Sequence, residues 1–272
     1  MASARTTSSP GSRSNKPIVV GHRGACADAP ENTLASFEEA LRQGADAIEF
    51  DVQLSADGAL VVHHDRTLQR VTGVRRRVAD LAWAELAQLD AGAWFRRPFA
   101  GERLPTLDDV LRRFGRRTRL MIEIKVDDPR QRDEQVDRVI DRVQGLASRV
   151  CILSFDAAAL RRVHRRAPQL RCVLDYDARP DLDTLPTLLG PADTLCLPAR
   201  LCTVALGDAL RAANRQLWVY RCDTPRTLAL ALRAGVQAVI TDRPAWARAQ
   251  LQAGPSRATP SRSRAPSRAA RR

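Results

Sequence analysis

Ile48-Glu49-Phe50-Asp51-Val52-Gln53-Leu54-Ser55-Ala56-Asp57-Gly58-Ala59-Leu60-Val61-Val62-His63-His64-Asp65 reads as a strand, a tight turn and a returning strand. In extended chain, residues i and i+2 share a face. Glu49 and Asp51 therefore point one way, and Ile48, Phe50 and Val52 the other. A second apolar run, Ile122-Glu123-Ile124-Lys125, repeats the pattern. Burying such charges is costly unless they are paired or bind metal. Asp57-Gly58 is a two-residue hairpin signal, so Leu60–His64 is expected to fold back antiparallel on Asp51–Ser55. A turn centred on 57 and 58 puts His64 opposite Asp51.

Outward from that stretch, short apolar runs alternate with helical patterns, as in a parallel sheet or barrel. Eight strands are expected: Pro17–Gly21, Ala47–Asp51, Leu120–Lys125, Val150–Phe155, Arg171–Tyr176, Thr194–Leu197, Leu217–Arg221 and Ala238–Thr241. Helices are expected over Thr33–Gln43, Gln131–Leu146, Asp156–Arg166, Leu182–Leu189, Val204–Asn214, Thr224–Ala234 and Pro244–Gln252, with Leu107–Phe114 after the hairpin. Asn32 or Thr33, Asp156, and Asp223 or Thr224 are the candidate N-caps. Eight βα units in this length match an α/β fold of the (β/α)₈ TIM-barrel type. Residues 66–104 form a small insertion after the hairpin of the second strand.

Reactive groups of such barrels cluster at the C-terminal strand ends. Here those ends carry His22, Arg23, Glu49, Asp51, Glu123 and Lys125. Three oxygen donors and no sulfur suit a hard cation, Mg²⁺ or Ca²⁺. The expectation is a site for that cation and a phosphate. Of the four histidines, at positions 22, 63, 64 and 164, His63 and His64 alternate faces, and the hairpin pairing favours His64.

The net charge of +13 is uneven. Residues 1–16 carry Arg5, Arg13 and Lys16 without an acid, and residues 253–272 carry six arginines without one. Both segments are expected to be disordered tails, flanking a domain over 17–252 that is not a nucleic-acid binder on charge. Aromatic content of 4% leaves few stacking platforms for bases. No apolar run approaches the roughly 20 residues of a membrane span. No cysteine pair has C-x-x-C spacing, so no zinc or redox site is expected. No h-region precedes the core, so a cytoplasmic protein without membrane insertion is expected.

In order along residues 17–250, His22-Arg23-Gly24, Pro30-Glu31-Asn32-Thr33, Glu49-Phe50-Asp51-Val52, Asp57-Gly58, His64-Asp65, Thr72-Gly73, Glu123-Ile124-Lys125 and Ile240-Thr241-Asp242-Arg243-Pro244 together resemble the glycerophosphodiester phosphodiesterases. Asp90-Ala91-Gly92-Ala93-Trp94-Phe95 through Leu104-Pro105-Thr106-Leu107 resembles the short insertion of their cytosolic bacterial branch. The resemblance implies a barrel of the phosphodiesterase and phospholipase C type. It implies divalent-cation ligation by Glu49, Asp51 and Glu123, acid–base work by His22 and His64, and phosphate or substrate binding by Arg23, Lys125 and Trp218. Many relatives end the seventh strand in a Trp-Thr-Val-Asn-like sequence, whereas Leu217-Trp218-Val219-Tyr220-Arg221-Cys222 departs from it. The implied activity is hydrolysis of a small glycerophosphodiester to glycerol 3-phosphate and an alcohol. A lysophospholipase D-like diesterase and a non-catalytic barrel binding diesters or anionic surfaces are the alternatives.

Overall fold

The computed structural model describes residues 16–253 of the 272. Apart from Lys16 and Ala253, the expected tails lie outside the described residues. Among the described residues nine strands form: β1 (Ile18–His22), β2 (Ala47–Leu54), β3 (Leu60–Val62), β4 (Arg119–Ile124), β5 (Val150–Ser154), β6 (Arg171–Asp175), β7 (Thr194–Pro198), β8 (Gln216–Tyr220) and β9 (Ala238–Thr241). All but β3 are parallel, and β1 pairs with both β2 and β9, so eight strands close into a barrel. Helices run between them, as the alternating pattern requires.

Two-residue periodicity sorts the side chains. Ile48, Phe50, Val52 and Leu54 of β2 join Leu120, Ile122 and Ile124 of β4 in the core between sheet and helices. There Phe37 meets Phe50 and Phe114 with ring centroids 5.5 and 5.8 Å apart. Such contacts contribute about 0.5–1.5 kcal/mol each beyond area burial. The alternate residues point into the barrel. Val20, Ala47, Met121, Cys151, Val173, Cys196, Trp218 and Ala238 fill its lower part as one apolar plug. One step higher, the inward positions of β1, β2, β4 and β6 become His22, Glu49, Glu123 and Asp175, while Leu153 and Ile240 keep those of β5 and β9 apolar.

Helix starts follow capping chemistry. Thr33, Asp156 and Thr224 accept backbone N–H bonds from the first turns that follow them. Asn32 and Asp223, the competing caps, are thereby free for the rim. The helix expected over Leu182–Leu189 is shorter, at Leu185–Leu189. Pro186 suits a first helical turn, where its missing N–H is no loss.

The hairpin forms, but in a register one residue away from the expected one. Val52 pairs with Val62, Gln53 with Val61 and Leu54 with Leu60. The loop is three residues long, with Gly58 left-handed at φ 84° and the Ser55 N–H bonded to the Ala59 carbonyl at 2.9 Å. The cause lies in the insertion. Leu81 accepts the Ala56 N–H at 2.9 Å, and the Asp57 carboxylate takes the Trp83 N–H at 3.0 Å. These bonds engage Ala56 and Asp57, two of the three loop residues. His63, not His64, therefore faces Asp51 across the ladder, donating its N–H to the Asp51 carbonyl at 3.1 Å. His64 follows just past the end of β3 and still reaches the rim. The inserted segment packs Leu68, Val78, Leu81, Leu86, Ala91 and Leu104 around Val61 as a small core of its own.

Candidate active site

Strand register assembles the acidic centre. His22 lies beside Glu49 across β1 and β2, and Asp51 lies beside Glu123 across β2 and β4. Glu49, Asp51 and Glu123 are all buried. A ligand oxygen from each lies within 4.8 Å of the others. Lys125 Nζ sits 3.2 Å from Asp51 Oδ1 and 2.5 Å from Glu123 Oε1. Those two buried oxygens nevertheless receive no well-aligned hydrogen bond. One ammonium thus shares two carboxylates without satisfying either. An oxygen-only donor set with orphaned lone pairs fits a hard divalent cation.

Burial and mutual repulsion act on the same carboxyls. Burial and neighbouring Asp51 push the Glu49 carboxyl up to about 7. Burial also pushes Asp175 up to about 7, against the pull of Lys125. Glu123 is raised well above its usual range, again chiefly by burial and against Lys125. Asp51 is held low, because Lys125 and Arg23 outweigh its burial.

These shifts predict an unusual pH dependence. A carboxyl raised in the folded state keeps a proton that the unfolded chain releases near pH 4, at about its ordinary pKa. Between that pH and about 7 the unfolded state binds fewer protons, so stability of the cation-free protein falls as pH rises. A cation needs ionised ligands. The gain in melting temperature from added Mg²⁺ or Ca²⁺ should therefore be small at about pH 5 and several degrees at about pH 8. Equal gains at both, measured by scanning fluorimetry, would contradict three buried carboxylates as the ligands.

Each histidine at the rim is gripped through Nδ1. His22 Nδ1 lies 2.6 Å from Asp242 Oδ1, and His64 Nδ1 lies 2.7 Å from Asp65 Oδ1. In both rings Nε2 is then the nitrogen left for a substrate, and both rings line the same pocket. Burial disfavours charge on His22, yet Asp242 and Glu49 outweigh it and its pKa is raised. Burial prevails at His64, which is lowered. His63 points away, its Nε2 3.2 Å from the Thr67 carbonyl.

Arg23 holds the turn together. Its N–H donates to Glu49 at 3.0 Å, its guanidinium donates to Glu31 at 2.9 Å, and its Nε lies 3.3 Å from Asp51. It is left-handed at φ 50°, as are Asn32 at 58° and Arg221 at 54°. Such backbone costs of order 1–3 kcal/mol per residue and gathers at functional sites. Gly24, at φ 91°, could carry no side chain, because a Cβ would lie 2.3 Å from Ser36 Oγ.

Of the residues expected from sequence, His22, Arg23, Glu49, His64, Glu123 and Lys125 line one cavity of about 220 Å³, with Asp51 buried directly beneath. Trp218 does not join them. It belongs to the apolar plug, and its indole N–H bonds Gln216 at 3.0 Å. Tyr220, two residues further along the same face, lines the cavity instead.

Several further residues complete the site, although no sequence pattern placed them in it. Asn32 donates to Asp51 Oδ2 at 2.8 Å. Asp175 follows the rule of a strand-end acid that marked Glu49. Arg70 of the insertion bonds Glu31 at 2.6 and 2.8 Å and Asp65 at 2.6 Å, tying the His64 partner to the Arg23 partner. Asp242, 220 residues from His22, had no signal beyond its place in the Thr241-Asp242-Arg243-Pro244 motif.

The model of the glycerophosphoryl diester phosphodiesterase family matches residues 22–246. A glycerophosphodiester phosphodiesterase of Caldanaerobacter subterraneus subsp. tengcongensis is 35% identical over 239 residues, covering 84% of this chain and 95% of that protein. One of Bacillus altitudinis is 31% identical over 233 residues, covering 83% and 94%. Among solved structures, an Oleispira antarctica phosphodiesterase in complex with the product sn-glycerol-3-phosphate superposes with a TM-score of 0.78 at 27% identity, covering 86% of this chain and 96% of that one. Barrel, rim and relatives together define a phosphoric diester hydrolase. The chain belongs to the glycerophosphoryl diester phosphodiesterase family. Among the described residues, no helix is long and apolar enough to cross a membrane.

Proposed function

We propose that this chain hydrolyses glycerophosphodiesters to glycerol 3-phosphate and an alcohol, with His22 and His64 as the acid–base pair and Mg²⁺ or Ca²⁺ held by Glu49, Asp51 and Glu123. The observation that carries this reading is the paired imidazoles, each held at Nδ1 by a carboxylate beside the acidic centre. When bound, the cation would neutralise charge on the phosphoryl oxygens.

Arg23 and Lys125 add fixed positive charge at the same place. One imidazole takes the proton of the glycerol 2-hydroxyl as its oxygen attacks phosphorus. The other gives its proton to the departing alkoxide, so the P–O bond to the alcohol breaks as the ring P–O bond forms. Water then opens the cyclic phosphate with the two roles exchanged, leaving glycerol 3-phosphate. Asp242 and Asp65 keep each ring in the tautomer that presents Nε2. Imidazole, with an ordinary pKa of about 6.5, suits both directions of transfer.

The lysophospholipase D-like alternative calls for an apolar groove. The wider groove beside His64 has Phe155, Ala157 and Ala158 along it, but Arg66, Lys125, Asp127, Asp156 and Arg161 interrupt that apolar surface with charge. A non-catalytic barrel has no need of two His–Asp pairs. All six cysteines are free, which fits a cytoplasmic, reducing compartment. The test is phosphorus NMR of glycerophosphocholine turnover. A transient cyclic glycerophosphate, followed by glycerol 3-phosphate, is the expected course. Choline release from an analogue lacking the 2-hydroxyl at an undiminished rate would rule out attack by that hydroxyl.

A further inference from the structure

Two cavities meet at the reaction centre. The smaller, about 220 Å³, sits over the barrel axis and is closed by Asp175, Asp177, Tyr220 and Arg221. The larger, about 650 Å³, runs outward between the segment after β3 and the β4 and β5 ends. They share His64, Glu123, Lys125 and Phe155. A phosphodiester has two arms, and a phosphorus held at the shared wall directs one arm into each cavity. The enclosed cavity suits the small glycerol arm, and the open groove is left for the alcohol.

The charges of that groove are unevenly paired. Asp127 is paired with Arg66 at 2.5 Å and with Arg77 at 3.5 Å. Asp156 is paired with Arg132 at 2.7 Å, and its other oxygen caps the helix behind it. Glu123 is paired with Lys125. On that helix, Ala157–Arg166, Arg162 and Arg166 are both bound by Asp137. Arg161 stands on the groove face, one turn beyond Ala157 and Ala158, and has no carboxylate partner among the described residues. Phe155 is 47% exposed, but its ring already faces the Lys125 ammonium at 5.4 Å. A quaternary ammonium in this groove meets two carboxylates already paired with arginines, a third, Glu123, that belongs to the acidic centre, and an occupied ring. An anionic group meets an unpaired guanidinium, whose fork matches carboxylate or phosphate oxygens.

We propose that the outer groove is the subsite for the departing alcohol and that Arg161 makes the enzyme favour diesters whose alcohol carries a carboxylate or second phosphate over those carrying a quaternary ammonium. This rests on the diesterase reading above and names its substrate class. The preference weakens with salt, because Arg161 is at the surface.

The experiment compares kcat/KM for glycerophosphoserine, bis(glycerophospho)glycerol and glycerophosphocholine in the full chain and in Arg161→Ala and Arg161→Glu. The expected result is a higher kcat/KM for the two substrates whose alcohol carries an anionic group, the serine carboxylate or the second phosphate, than for the choline diester. Arg161→Ala should cut that ratio by about three- to tenfold, the scale of one charge-assisted contact near water, mainly through KM. Arg161→Glu should cut it further, and raising the salt concentration should shrink it in the unaltered chain alone. The proposal is overturned if choline is preferred, or if Arg161→Ala leaves the ratio unchanged while every substrate is still turned over. Failure to hydrolyse any of the three would instead refute the diesterase reading, and this inference with it. Arg161 is exposed, and far-ultraviolet circular dichroism of both variants checks that they fold.

Discussion

Replacing His22 or His64 with alanine should lower kcat on glycerophosphocholine by about 10²- to 10⁴-fold, the usual contribution of a positioned proton-transfer group. Both substitutions remove a ring whose Nδ1 is anchored and whose other nitrogen faces the shared cavity. His63→Ala and His164→Ala are the controls. His63 is buried against the Thr67 carbonyl, so its loss should lower melting temperature more than turnover. His164 lies on the exposed side of its helix and should affect neither. Steady-state kinetics on the four folded variants separates the cases. If His22→Ala keeps near-normal kcat, the two-histidine mechanism is wrong, and attack by water without that imidazole becomes the better account.

Chelation should abolish turnover, and Mg²⁺ or Ca²⁺ should restore it. Glu49→Gln and Asp51→Asn each keep the side-chain shape but remove a negative charge from a cluster that has little else to hold a cation. Both should weaken cation affinity, read by calorimetry, and lower activity at limiting cation. Asp51→Asn carries a second cost, because Asp51 also meets Arg23, Asn32 and Lys125. Removing one member of such a buried set typically costs about 3–5 kcal/mol, since the remaining charges are left uncompensated. Its melting temperature should therefore drop, whereas that of cation-free Glu49→Gln should rise or hold, because Glu49 is itself costly to ionise there. Full activity in excess chelator would falsify the cation site.

The faces of the strands were legible because face depends only on parity. Glu49 and Asp51 share a side whatever the rest of the chain does, and the same holds for Glu123 with Lys125. The barrel was legible for a related reason. Eight apolar runs separated by capped helical segments leave few other ways to bury both sheet faces. Height along the barrel axis was not legible. Trp218 and Tyr220 have the same parity, and only the stagger of β8 against β7 and β9 puts the tryptophan in the plug and the tyrosine at the mouth.

The hairpin shows the same boundary between local and distant causes. Asp57-Gly58 announced a turn, and a turn formed. Its length was decided by Leu81 and Trp83, which take hydrogen bonds from the loop or give them to it. Those contacts moved His63 into the place expected for His64, although His64 still reached the rim from beyond the strand end.

By itself, then, the sequence determined the fold class, the side of each strand that carries charge and six of the residues around the cavity, since these follow from periodicity and chain-local propensity. Only the tertiary structure decided which aromatic side chain reaches the mouth, that Asp242 holds the His22 ring, that Arg70 links Glu31 to Asp65, and that Arg161 has no carboxylate partner among the described residues. Each of these depends on contacts between segments distant in the chain; closure of the barrel, for one, brings His22 and Asp242 to 2.6 Å. No local pattern in the chain encodes such a distance.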